Sequence, residues 1–144
     1  MKSEKKILYI ENSDGDYRRL MQNIKAKGYQ EKLKIDRVRN TDEAKFILKN
    51  DMKNKNYKII ICDYLMEKNG QDDPHEIKEF LESEEFKNYQ SEIKFQLICY
   101  SIIGEDLKRA DLEHENNKFL NKFKGIYTKL DDEEKFFNYL INNI

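Results

Sequence analysis

Cysteine is scarce in this chain. The two present, Cys62 and Cys99, form no Cys-x-x-Cys pair and have no histidine at metal-ligand spacing, which argues against a zinc site. Both sit in apolar runs, where a thiol acts as a small buried hydrophobe. Long apolar runs are also missing: none approaches the roughly 18 residues that a membrane span needs. The basic start, Met1 to Lys6, leads into only four apolar residues, Ile7 to Ile10, too few for the apolar region of a signal peptide. A cytoplasmic protein with no membrane partner is therefore expected. Excess charge of one sign is absent, with a formal net charge of −1, which removes the electrostatic case for nucleic acid as the main partner. Neither GxGxxG nor GxxxxGK[ST] occurs, so no glycine-rich loop is there to cradle a nucleotide.

What remains is a heavily charged chain with enough apolar material for a core. Charged and apolar residues each make up 38%, with nine Tyr and eight Phe, the balance of a soluble globular protein. At 144 residues one domain over 1–144 is expected, with no repeat, internal boundary or output domain.

Strand-like and helix-like segments alternate. Ile7 to Ile10 reads as the first strand. Asp14 to Lys27 reads as a helix, with Tyr17, Leu20, Met21 and Ile24 at helical spacing, Ser13 or Asp14 as its cap and Gly28 as its stop. Leu33 to Val38 alternates as a half-exposed edge strand, and a second helix opens at Asn40 or Thr41. Lys58 to Asp63 forms the third strand around Ile59-Ile60-Ile61-Cys62, a run that reads as buried on both faces. Asp73-Pro74 starts a third helix, with Ile77, Phe80, Leu81 and Phe86 inward. Lys94 to Ser101 is the fourth strand, Glu105 to Phe123 a thinly apolar fourth helix, Ile126 to Thr128 the fifth strand and Asp131 to Ile144 the closing helix. The acidic run Asp131 to Glu134 suits a helix first turn. Five strands alternating with helices predict an α/β, flavodoxin-like, doubly wound parallel sheet with helices on both faces and strand order 2-1-3-4-5.

In such a sheet, ligands bind beyond the carboxyl ends of the strands. Those ends carry Glu11 and Asn12, Asp63, Ser101 and Lys129. The set suits phosphoryl transfer. An aspartate can take a phosphoryl group as an acyl phosphate. Mg²⁺ on oxygen ligands can bridge the two anions, with Glu11 and Asn12 completing its shell. A lysine and a hydroxyl can satisfy the other phosphoryl oxygens. Each residue also has a plainer role open to it: Ser101 as a cap, Lys129 as a solvated lysine, Glu11 and Asn12 as helix caps. His75 and His114 lie in charged helical contexts and read as solvated.

On these residues nearly the whole chain resembles a response-regulator receiver domain of two-component signalling. Ile7 to Asn12 matches the family's strand ending in an acidic pair, Asp63-Tyr64-Leu65-Met66 the phospho-acceptor and its following Met, Gly70 the next loop, Tyr100-Ser101 the switch hydroxyl, and Tyr127-Thr128-Lys129 the last strand and its lysine. The resemblance implies that Asp63 is the phospho-acceptor, with Lys129 and Ser101 supporting. It also implies Mg²⁺ held by Glu11, Asn12, Asp63 and the Leu65 backbone carbonyl, a histidine kinase or phosphotransfer protein as donor, and a downstream protein target. The chain departs from the family at Asn12 (usually Asp), Glu67 (Pro), Ile102 (a small residue), Leu130 (Pro) and Ile126, where the switch aromatic usually stands, three before the lysine.

The first reading is a single-domain receiver that signals through protein contact rather than a turnover enzyme. The alternative is a pseudo-receiver, an interaction module independent of phosphorylation. A third reading, another flavodoxin-like protein such as a phosphohydrolase, lacks the second carboxylate it would want two residues after Asp63, where Leu65 stands.

Overall fold

Ile7–Ile10 (β1) and Ile59–Cys62 (β3) hold only residues whose side chains are fully buried. Each large aliphatic side chain so buried contributes roughly 1.5–3 kcal/mol, and only a strand covered on both faces can bury neighbours in sequence. These two strands form the middle of a five-stranded sheet in a computed structural model that describes residues 7–50, 57–63, 66–68, 71–73, 75–101 and 122–144. Ile35–Val38 (β2), Gln96–Ser101 (β6) and Gly125–Thr128 (β7) complete it in the order β2-β1-β3-β6-β7, every pairing parallel. Counted along the chain, the sheet strands run 2-1-3-4-5, the predicted order.

Alternation along the strands divides the core. Ile7, Tyr9, Ile59, Ile61, Ile98 and Tyr100 face Asp14–Ala26 (α1) and Glu133–Asn142 (α5), packing on Leu20, Ile24, Phe136, Phe137 and Leu140. Leu8, Ile10, Ile60, Cys62 and Cys99 face Thr41–Asn50 (α2), His75–Leu81 (α3) and Glu84–Glu92 (α4). The two cysteines are register partners, fully buried and not disulfide-bonded. No helix among the described residues is long and apolar enough to cross a membrane.

Helix ends follow local chemistry. Ser13 caps α1 by accepting from Asp16 N at 3.1 Å. Gly28, at φ +74°, ends it: Gly28 N donates to Lys25 O and Tyr29 N to Ile24 O, each at 3.0 Å, the paired bonds of a Schellman turn. Asn40 caps α2, taking Glu43 N at 2.8 Å.

Three expectations change. The predicted third helix is two, α3 and α4, because Ser83 starts a new one by accepting from Phe86 N at 3.2 Å. Ahead of α3, Asp73 ends Gln71–Asp73 (β5), which pairs antiparallel with Met66–Lys68 (β4) in a separate ribbon. The acidic run is more than a solvated first turn. Glu133 takes Arg19 Nη1 and Asn23 Nδ2 at 2.5 Å each and Tyr100 OH at 3.1 Å, binding α5 to α1 and β6. Of the predicted fourth helix, Lys122 and Phe123 lie in the turn before β7, and 105–121 falls outside the described residues, as do Leu65, Gly70, Pro74, Ile102 and His114.

Candidate functional site

Glu11, Asp63 and Lys129 each stand one residue past a strand end, and each is fixed by one more backbone bond to the neighbouring strand. Glu11 N donates to Val38 O at 3.0 Å, Asp63 N to Ile10 O at 3.3 Å and Lys129 N to Ser101 O at 3.0 Å. Arg37, at the end of β2, adds a bond from Nε to Glu11 O at 2.8 Å. The side chains therefore leave a rigid sheet edge at set positions.

They converge on the lysine. Lys129 Nζ lies 2.5 Å from Glu11 Oε1, 2.9 Å from Asp63 Oδ2 and 2.9 Å from Asp16 Oδ2. Glu11 is fully buried; its Oε1 also accepts from Tyr9 OH at 2.9 Å and its Oε2 from Ser13 N at 3.1 Å. Asp63 and Lys129 are buried as well. Burial raises the Asp63 carboxyl, the Lys129 ammonium opposes this and Glu11 reinforces it, leaving Asp63 at about 6. Burial works against the Lys129 charge, but Asp63 and Glu11 outweigh it and hold the ammonium protonated far above its ordinary range. Burial, then Glu11, pushes the Tyr9 phenol well above its usual value, so it stays a donor.

Ser101 closes β6 on the α2–α4 side. It is fully buried, helps keep Asp63 ionised, and its Oγ makes no hydrogen bond of ordinary geometry. Asn12 is half-buried beside Glu11. Four of the expected site residues, Glu11, Asp63, Ser101 and Lys129, thus lie at one end of the sheet.

Asp16 is the residue that sequence reasoning missed. Three residues after the Ser13 cap, an acid reads as a first-turn or capping-box residue. Its side chain turns instead to Lys129. The one available signal was an acidic first turn directly after a strand ending in Glu11.

The donor set fits a hard divalent cation. Glu11, Asp16 and Asp63 offer carboxylate oxygens within 4.8 Å of one another, and Mg²⁺ favours such ligands. Three carboxylates against one ammonium leave two negative charges, which one divalent ion balances. The buried Ser101 hydroxyl beside Asp63 adds a further polar group to the set.

The last strand differs from what the resemblance implies for a switch. Ile126 packs on the α2–α4 side, where Ser101 lies, whereas Tyr127 faces α5 and meets Phe136 and Tyr139 at centroid distances of 5.7 and 6.0 Å. Leu130 follows Lys129 with φ +74° and is 64% exposed.

No protein-family model matches the sequence, and no curated protein does. Among solved structures, the bacteriophytochrome response regulator AtBRR is similar, with a TM-score of 0.59 at 15% identity, over 99% of this chain and 96% of that one. With its strand order and its two helical layers, the chain has a flavodoxin-like fold, similar to that of this response regulator.

Proposed function

We propose that the protein is a receiver that accepts a phosphoryl group on Asp63 in a Mg²⁺-dependent relay and passes the signal on by protein contact. The observation that carries this reading is the Lys129 ammonium 2.9 Å from Asp63 and 2.5 Å from Glu11, all three residues buried. With its carboxyl at about 6, Asp63 is mostly ionised at neutral pH and able to attack. Its oxygen forms the new bond to phosphorus as the bond from phosphorus to the donor breaks, and the leaving group carries away that electron pair. Glu11, Asp16 and Asp63 would hold the Mg²⁺, which supplies the positive charge that lets a carboxylate and a phosphoryl group meet. Lys129 neutralises charge on the phosphoryl oxygens, and Ser101 Oγ offers them a hydrogen bond. A histidine kinase or phosphotransfer protein is the donor class, and a downstream protein the target.

A second reading, the phosphorylation-independent interaction module, is favoured by Tyr127, which faces α5 and leaves Ile126 on the side of Ser101. Incubation with Mg²⁺ and acetyl phosphate or beryllofluoride separates the two. The relay reading expects an adduct in the wild type and none in Asp63→Asn, by intact mass. No adduct in the wild type overturns it.

A further inference from the structure

We infer that Asp16, on the first turn of α1, is the carboxylate at which a divalent cation enters this site, in exchange for the Lys129 ammonium. The inference rests on the metal-dependent reading above and adds to it a point of entry and an order of events.

One ammonium touches all three carboxylates, at 2.5, 2.9 and 2.9 Å. A cation with ligand distances of about 2.0–2.1 Å needs the same oxygens, so it and Nζ compete. The three carboxylates are not equally open to it. The Glu11 side chain has no exposure and that of Asp63 9%, whereas that of Asp16 has 40%. Both Glu11 oxygens already accept hydrogen bonds, from Tyr9, Lys129 and Ser13. Asp16 is therefore the solvent-facing contact of Lys129 and the easiest one to break.

The position of Asp16 is firm even though its side chain is accessible. Its amide is fixed to Ser13 Oγ at 3.1 Å, and no capping bond occupies its carboxylate. Asn12, the neighbour of Glu11, brings only a neutral amide, so the third negative charge comes from a helix rather than from the strand end. Apart from the carboxylates, the Ser101 hydroxyl is fully buried beside Asp63 with no hydrogen bond of ordinary geometry. Such a group marks a place built for a polar ligand. Once Nζ leaves Asp16, the Lys129 backbone stays fixed by its N–H bond to Ser101 O at 3.0 Å, and the ammonium keeps Glu11 and Asp63 beside it.

Mn²⁺ titration by isothermal calorimetry, with no phosphodonor, tests this directly. Asp16→Asn is expected to weaken Mn²⁺ binding by roughly tenfold or more, since losing even a supporting partner of a metal ligand costs 10–100-fold. The loss should exceed that in Asn12→Ala, and Asp16→Glu, which keeps the carboxylate, should recover most of it. Lys129→Gln should bind Mn²⁺ more tightly than the wild type, because the competitor is gone. Far-UV circular dichroism confirms that each variant is folded. If Asp16→Asn binds like the wild type while Asp63→Asn does not bind, Asp16 only holds Lys129; the inference falls and the relay reading stands. A larger loss in Asn12→Ala than in Asp16→Asn, or weaker binding in Lys129→Gln, also overturns it. A wild type that binds no Mn²⁺ overturns both.

Discussion

Replacing Asp63 by Asn should stabilise the protein, and by an amount that depends on pH in a defined way. Asp63 has an ordinary value of 3.8 and about 6 in the fold. A folded-state value above the unfolded one means that the fold binds this proton more tightly than the unfolded chain does. The associated stability is complete below about pH 4 and is lost as the pH rises through about 6. A shift of about two units at 1.36 kcal/mol each amounts to about 3 kcal/mol against the fold at pH 7.5. Asparagine removes that term and keeps an acceptor for Lys129, which retains Glu11 and Asp16 as partners. Its amide does lose the charge-assisted part of one 2.9 Å bond, so the net gain should be about 1–3 kcal/mol at pH 7.5. For a chain of this length each kcal/mol moves the melting temperature by about 2–4 °C. The Asp63 term falls to about half at pH 5 and about a fifth at pH 4. Urea titrations of wild type and Asp63→Asn at pH 7.5, 5 and 4 measure it. An Asp63→Asn protein less stable than the wild type at pH 7.5, or a gain that does not shrink with acid, would refute the account of Asp63 as a carboxylate held at a cost by burial and Glu11.

Two further substitutions probe the elements that hold the site. Leu130→Gly should be more stable than Leu130→Ala by about 1 kcal/mol, because a left-handed backbone disfavours any residue with a Cβ and the exposed side chain gives up little burial; equal urea midpoints would show that the turn carries no such strain. Glu133→Ala should lower stability by about 1–2 kcal/mol, since it removes the bonds to Arg19, Asn23 and Tyr100 from a partly exposed network, and an unchanged midpoint would mean that these bonds do not fasten α5 to α1.

Strand order and layering were legible because their causes lie within short stretches of sequence. Ile7 to Ile10 and Ile59 to Cys62 are apolar at every position, which only a strand covered on both faces allows. The weaker alternation from Leu33 to Val38 placed β2 at an edge. The residues one step past these runs were legible for the same reason, since a strand end fixes where a side chain emerges. The break between α3 and α4 was present as Ser83-Glu84-Glu85, a helix start that the apolar spacing of Leu81 and Phe86 masked. The β4–β5 ribbon had no comparable signal: Gln71, Asp72 and Asp73 carry no apolar alternation. Asp16 and Glu133 escaped because a charged residue in a first turn already has a sufficient local explanation in the helix dipole. Their partners are 113 and 114 residues away in sequence, and only the closed sheet brings them together.

The two apolar layers of this molecule follow the ordinary rules of burial, and several departures from those rules gather at one end of the sheet. Asp63 is a buried acid whose surroundings disfavour its charge. Ser101 and Thr128 bury hydroxyls that make no hydrogen bond of ordinary geometry. Leu130 exposes an apolar side chain from a left-handed backbone. None of these features strengthens the fold: a neutral side chain in place of Asp63, apolar ones in place of Ser101 and Thr128, and glycine in place of Leu130 would remove most of the penalty. All four lie at or just past the carboxyl ends of β3, β6 and β7, beside a lysine whose ammonium binds three carboxylates from three different elements. Similar departures occur elsewhere among the described residues, at Gln96 Oε1, Tyr139 OH and the 66% exposed Phe46, but those here surround a buried lysine and its carboxylates, and that concentration marks residues kept for chemistry rather than stability. The same concentration accounts for the opposite signs expected of the substitutions: Asp63→Asn and Leu130→Gly relieve the penalty, whereas Glu133→Ala removes a support that lets the fold bear it.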